Sequence, residues 1–216
     1  MEKLGIKIIT AISYAFEENA YIAHLADDDR CVIVDPGIDP DELLAAIAEK
    51  HLKPEGILIT HGHYDHIGGI PAILAHWSDC KIYASFEEAA KLIDPDQNLS
   101  SMFGVPMAVN SADRIIEDGE EFTVAGIEFQ AVKIPGHSRG HLAYVVKHTE
   151  PLDIFVGDII FDGSIGRGDF PDGNSLDLIT GIKSKLFGFP DDTTLYPGHG
   201  CTTTIGKEKR SNPYLT

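Results

Sequence analysis

Positive charge is scarce in this sequence. Lysine and arginine number 17 against 34 aspartates and glutamates, for a net charge of −17 at pH 7. A chain this acidic lacks the basic surface that duplex nucleic acid or an anionic membrane requires, so neither is an expected partner. Cysteine is equally sparse. Cys31, Cys80 and Cys201 are odd in number and not spaced like a zinc ribbon, so they read as reduced thiols. No apolar run approaches the roughly 18–20 residues that span a bilayer, and residues 1–5 open no apolar leader stretch. A soluble cytoplasmic protein is the expectation. No linker, low-complexity tract or charge block divides the 216 residues. One domain over 1–216 is therefore expected, long enough to bury about 70% of its unfolded surface.

What the chain does have is histidine in an unusual place. The apolar run Ile57-Leu58-Ile59 ends in Thr60-His61-Gly62-His63-Tyr64-Asp65-His66, followed by Gly68 and Gly69. Histidine and carboxylate suit zinc, iron or manganese. Alternation puts His61 and His63 on one side of an extended chain, and Asp65 and His66 point elsewhere unless the chain turns. A lone histidine or aspartate at a strand end is more often structural. A cluster this dense is another matter, because buried ionisable groups without partners are costly.

The pattern of elements shows where that cluster sits. Strands are expected at 6–12, 19–25 and 31–35. A helix follows over about 39–51, with Asp39 as N-cap, Pro40 in the first turn and Glu42 at capping-box spacing. The next strand, 56–60, delivers the chain to His61. Helices at 70–77 and 86–93 flank a strand at 81–84. Residues 94–113 are polar, interrupted by Pro95, Gly104 and Pro106, and read as a long loop that could lie over a site. Strands at 121–124, 127–134, 142–146 and 153–156 follow, then a helix at 175–187 and a strand at 193–196. The tail, 202–216, reads as polar and peripheral. Periodicity alone gives α/β or α+β, with two sheets covered by helices.

Further ligand candidates each follow an expected strand: His137 in Pro135-Gly136-His137, Asp158 in Gly157-Asp158, and His199 in Pro197-Gly198-His199. With the cluster they sort into two sets. His61, His63 and His137 would hold one metal; Asp65, His66 and His199 would hold the other; Asp158 would bridge them. A hydroxide between two such ions is the expected nucleophile, since a bound divalent metal lowers the pKa of water from 15.7 to about 7. Asp65 is placed both to ligate and to orient it, a catalytic role. His141 reads as a supporting or structural residue, Asp35 as an acceptor for a ligand histidine or a turn cap, and Cys201 as a bystander. His24, His51, His76 and His148 read as surface or packing residues.

At these residues the chain resembles the metallo-β-lactamase-fold hydrolases, in particular the glyoxalase II (hydroxyacylglutathione hydrolase) branch. The histidine motif, Pro135-Gly136-His137, Gly157-Asp158 and Pro197-Gly198-His199 stand in that family's order, and the likeness runs from Val34 to Tyr214. The resemblance implies an α+β fold, an αββα sandwich of two mixed sheets flanked by helices, with a site for two divalent metals, zinc foremost and iron or manganese as alternatives. It also implies hydrolysis of small anionic thioesters such as S-lactoylglutathione. The segment Gly163-Ser164-Ile165-Gly166-Arg167-Gly168-Asp169-Phe170 resembles short members of the branch, in which Arg167 would contact a substrate carboxylate; Arg167 could equally pair with Asp169 or Asp172. No C-terminal helical glutathione-binding domain is expected, which leaves glutathione specificity open, as is the oligomeric state. Two other readings stand beside this one: a mononuclear iron persulfide dioxygenase of the same fold, and a non-catalytic metal-binding module. A β-lactamase role fits poorly without an export signal, and a ribonuclease role fits poorly with the acidic charge.

Overall fold

The computed structural model describes residues 5–147 and 149–216; the expectations for the first four residues and for His148 fall outside these. Two six-stranded sheets lie face to face. The first takes β1 (Ile6–Ser13), β2 (Glu18–Leu25), β3 (Arg30–Val34), β4 (Lys53–Leu58), β5 (Lys81–Ala84) and β6 (Arg114–Ile115) in that order. The second contains β7 (Glu121–Val124), β8 (Ile127–Lys133), β9 (Leu142–Val146) and β10 (Asp153–Gly157). A separate hairpin of β11 (Ile160–Phe161) and β12 (Ser164–Ile165) follows, and β13 (Thr194–Pro197) and β14 (Thr203–Thr204) complete the second sheet. Both sheets are mixed: β3 to β6 run parallel after an antiparallel start, and β10 pairs in parallel only with β13.

Side-chain alternation builds the layers. On β3, Val32 and Val34 face the opposite sheet, while Cys31 and Ile33 face outward to helices. On β9, Tyr144 and Val146 face inward while Ala143 and Val145 face outward. The outer face of the first sheet is covered by α1 (Asp41–Glu49) and α3 (Ile70–His76) through Leu43, Ile47, Ile70 and Ile73, with α4 (Phe86–Leu92) adding Leu92. The outer face of the second is covered by α5 (Ser175–Ser184) and α6 (Ile205–Ser211) through Leu178, Ile182 and Ile205. The expected αββα sandwich is what the chain forms. No helix among the described residues is long and apolar enough to cross a membrane.

Local expectations needed correction at three places. The first helix starts at Asp41, with Pro40 at the cap position and no side-chain cap bond. Asp39 turns its carboxylate to the backbone N–H of Ala15 instead, so a tertiary contact wins over the capping box. The tail is not peripheral. Ile205 and Leu215 enter the core, and the buried Glu208 carboxylate accepts from Thr203 Oγ1 at 2.5 Å, Asn212 Nδ2 at 2.8 Å and the Gly163 N–H at 3.1 Å. A polar composition hides burial when each polar group has a partner. The third place is the helix α2 (Tyr64–Ile67), which starts inside the histidine motif. This turn brings His66, which alternation would point away, to within 4.1 Å of the His61 ring.

Candidate metal centre

Each candidate ligand sits just beyond a strand. β4 ends at Leu58, three residues before His61, and His63 then holds the extended position ahead of α2. His137 follows β8, Asp158 follows β10 and His199 follows β13. The strand ends are tied to one another. Thr60 O accepts from the Leu142 N–H at 2.9 Å, Gly157 O from the Gly198 N–H at 2.9 Å, and Gly198 O from the Asn19 N–H at 2.7 Å. Asn19 Nδ2 also donates to Pro197 O and Gly200 O, at 3.0 and 2.8 Å. Gly198 is required here: a Cβ would collide with Asp158 Oδ1 and lie 2.6 Å from His66 Cε1.

The first set is compact. His137 Nε2 lies 3.0 Å from His63 Nδ1 and 3.2 Å from His61 Nε2. Nitrogens on a tetrahedron of radius about 2.0–2.1 Å would stand about 3.3 Å apart, so this spacing fits one zinc-sized ion. The second set is looser: Asp65 Oδ2 lies 3.5 Å from His199 Nε2 and 3.8 Å from His66 Nε2. Asp158 reaches both. Its Oδ1 is 3.5 Å from His66 Nε2, and its Oδ2 is 3.6 Å from His137 Nε2 and 3.7 Å from His199 Nε2. Three ligand-type groups meet within 4.8 Å among the described residues, and two of them, His61/His63/His137 and Asp65/His66/His199, match the sets expected from sequence. The third joins Asp35 to His61 and His66.

The surrounding hydrogen bonds fix the ring orientations. His66 Nδ1 donates to Asp35 Oδ2 at 3.1 Å, His137 Nδ1 to Arg167 O at 2.9 Å, and His199 Nδ1 to Phe16 O at 3.2 Å. Thr60 Oγ1 gives its proton to Asp35 Oδ2 at 2.6 Å and so accepts from His61 Nδ1 at 3.1 Å. In all four rings the proton is held on Nδ1 by an outer acceptor and the Nε2 lone pair is turned inward, the arrangement that metal-ligating histidines adopt. His66 Nε2 and Asp158 Oδ1 are buried without a hydrogen-bond partner. Polar atoms left without a partner in a buried site are costly, and a bound cation would satisfy both once His66 Nε2 gives up any proton. The donor set and these orphans fit divalent metal ions. Asp35 itself sits at φ 47°, a conformation unusual for a side-chain-bearing residue, and its Oδ1 also accepts the Thr60 N–H at 2.8 Å.

Protonation differs between the sets. Burial pushes His61, His63 and His137 below the ordinary histidine value, which keeps them neutral. Burial acts the same way on His66, but the Asp158, Asp65 and Asp35 carboxylates outweigh it and raise that imidazole. Burial is the largest single influence on His199 and lowers it, with His66 acting the same way, but the Asp65 and Asp158 carboxylates together outweigh them and raise it. Asp158 is held well below the carboxylate range by His66, His137 and His199, although burial opposes them.

Several residues that support the site were not singled out from the sequence. Glu88 on α4 is fully buried and accepts from the backbone N–H groups of Gly62 and Gly140, each at 2.7 Å, and from Ser138 Oγ. It thus joins the loop of His61 and His63 to the loop of His137. Lys91, almost as buried, pairs with Glu88 at 3.2 Å and Asp172 at 2.6 Å. The signal available was the Ser85-x-x-Glu88 spacing, which does cap α4 but reads as an ordinary exposed first turn. Glu18 is fully buried, with Oε1 3.7 Å from His66 Nδ1, and burial raises its pKa strongly. His141 stacks on His61 at 4.6 Å and accepts the Asp158 N–H on Nε2 at 3.1 Å. His24, His51 and His76 belong to none of these ligand groups, nor does the exposed thiol of Cys201.

A cavity of about 320 Å³ opens beside the centre, lined by His63, Asp65, His137 and Asp158 and by aromatic side chains. Leu99 and Phe103 bring the 94–113 segment to its wall, and the Tyr64 N–H donates to Asn98 O at 3.0 Å, tying that segment to α2. Arg167 is at the rim, where it pairs with Asp169 rather than Asp172.

Comparison with known proteins places this geometry in a family. The family model of the Metallo-beta-lactamase superfamily matches residues 14–199. Hydroxyacylglutathione hydrolase GloC of Haemophilus influenzae is 36% identical over 215 residues, covering 98% of each chain. The crystal structure of BLEG-1 B3 metallo-beta-lactamase is similar with a TM-score of 0.91 at 34% identity, covering 97% of this chain and all of that one, 100%. That of TTHA1623 in a di-iron-bound form is similar with a TM-score of 0.83 at 32% identity, over 96% of this chain and 100% of the other.

Proposed function

The chain belongs to the Metallo-beta-lactamase superfamily, and from that premise we propose that it is a metal-dependent hydrolase of small thioesters, of the kind that S-lactoylglutathione represents. One observation carries the reading. Four imidazoles have Nδ1 tied to an outer acceptor and Nε2 turned inward, around a carboxylate that reaches both ligand sets. His61, His63 and His137 would hold one divalent ion, Asp65, His66 and His199 a second, with Asp158 between them. Zinc suits the nitrogen-rich first set, and iron remains open given the di-iron form of one similar structure. Bound there, such metals would supply a nucleophilic water near neutral pH and polarise the thioester carbonyl.

The protein's own groups supply the rest. Asp65, partly exposed to the cavity, accepts a proton from the attacking water and fixes its direction. The aromatic wall offers the substrate an apolar surface beside the reacting carbon. Leaving thiolate departs into the cavity, where burial keeps His63 and His137 neutral. The free cysteines, Cys201 exposed among them, support a reducing, cytoplasmic setting. The charge of −17 favours a small-molecule substrate over nucleic acid. The assembled second set supports hydrolysis over mononuclear dioxygenase chemistry, which would leave Asp65, His66 and His199 without a common task.

Elemental analysis paired with a thioester panel tests the reading. Expected are about two metals per chain and turnover of S-lactoylglutathione or a related thioester. Less than one metal per folded chain, with no thioesterase activity after zinc or iron is restored, would sink it. Oxygen uptake with glutathione persulfide would favour the dioxygenase instead.

A further inference from the structure

Aromatic rings dominate the cavity wall: Phe16, Tyr64, Phe103, Phe161 and Phe170 all line it. Tyr64 packs against Phe16 at 5.2 Å and Phe103 at 5.0 Å between ring centroids. Phe170 stands edge-on to His63 at 4.9 Å and to His137 at 5.6 Å, so an apolar surface reaches the candidate ligands directly. Against this wall the lining offers, among the described residues, a single arginine, Arg167, and no lysine. That arginine is already engaged. Its Nε donates to Asp169 Oδ1 at 2.6 Å and its Nη2 to Asp169 Oδ2 at 2.8 Å, a two-pronged match of guanidinium to carboxylate. Its plane also covers the Phe170 ring, 4.5 Å from the centroid. A substrate carboxylate seeking the same two-pronged Nε/Nη2 edge would compete with one already in place, and only the Nη1 side of the guanidinium would be left to it.

Resting on the thioesterase reading above, we propose that, among small thioesters, the site favours those whose bulk is uncharged and apolar or aromatic over anionic ones such as S-lactoylglutathione. Asp169 sets that preference by occupying the Nε/Nη2 edge of the Arg167 guanidinium. The preference is graded. The pair is exposed, with side chains 61% and 68% accessible, and an exposed pair yields to a competitor at modest cost. Specificity here is a difference between two affinities, and Asp169 acts on one of them only.

Two phenylacetyl thioesters test it on metal-loaded protein: one of N-acetylcysteamine, which is neutral, and one of 3-mercaptopropionate, which carries a carboxylate. The neutral ester is expected to have the higher kcat/KM, by about tenfold. Asp169→Asn is expected to lower KM for the carboxylate ester about threefold, with kcat and the neutral ester unchanged. The matching benzyl thioethers, which are not hydrolysed, are expected to bind in the same order and to show the same shift in Kd. Wild-type preference for the carboxylate ester, or an equal effect of Asp169→Asn on both, would overturn the proposal while leaving the thioesterase reading intact. Absence of turnover on both esters and on S-lactoylglutathione overturns that reading, and this proposal with it.

Discussion

His61, His63 and His137 are at most 3% exposed and are kept neutral by burial, whereas Asp65 and His199 are 16% and 29% exposed at the side chain. Behind the first set stands Glu88, which spends its carboxylate on two loop backbones and a hydroxyl. Behind the second stand Asp35 and Glu18, beside a histidine that neighbouring carboxylates hold protonated to higher pH. One half of the centre is thus preorganised by neutral, enclosed nitrogens. The other is acidic and, at Asp65 and His199, more exposed to solvent. A site that must hold a metal firmly and still admit a reactant gains from that division of roles.

The largest effect expected from disturbing the comparison is on the enclosed half. Glu88→Ala would leave the buried Lys91 with Asp172 as its one remaining carboxylate partner and release both ligand loops. It should cost about 3–5 kcal/mol of stability, or roughly 6–20 °C in Tm for a chain of this size, measured by calorimetry of the metal-free protein. An unchanged Tm would mean that the Glu88 network does not hold the loops. Asp35→Ala comes next. It removes the acceptor of His66 Nδ1 and Thr60 Oγ1, so metal affinity should fall about 10–100-fold in competition with a chelator.

Protons distinguish the halves more gently. A histidine with a raised pKa must release its proton to bind metal; one with a lowered pKa has none to release near neutrality. Stepwise zinc addition at about pH 7 in weak buffer should therefore release protons as the His66/His199 set fills and few as the His61/His63/His137 set fills, and affinity at the former should rise with pH. Equal release at both steps would erase the distinction. The smallest effect concerns thiols. Burial pushes Cys31 and Cys80 up to about 12, while Cys201 is exposed. A thiol reagent at neutral pH should label Cys201 alone in the native protein and all three cysteines in denaturant.

The candidate ligands were legible in the sequence because His61, His63, Asp65 and His66 crowd into six residues at a strand end, and that cluster singles out His137, Asp158 and His199, each after a later strand, as partners. The layers were legible too, since strands such as Cys31-Val32-Ile33-Val34 are apolar on both faces and need cover on both. Glu88 and Lys91 were not, because a helix with acid in its first turn and base in its last reads as solvent-facing, and only the fold buries it. The tail failed for the same reason: Glu208 and Asn212 look exposed until their partners on the β11–β12 hairpin are in place. The short pairing of Arg114 and Ile115 with β5 was hidden by its length.

The central claim is that Asp158 joins two metal sets into one centre, and metal stoichiometry of Asp158→Ala tests it most directly. With circular dichroism unchanged, the wild type should carry about two metals per chain and the variant one or fewer, with thioesterase activity lost. A variant that keeps two metals and full activity would contradict the account.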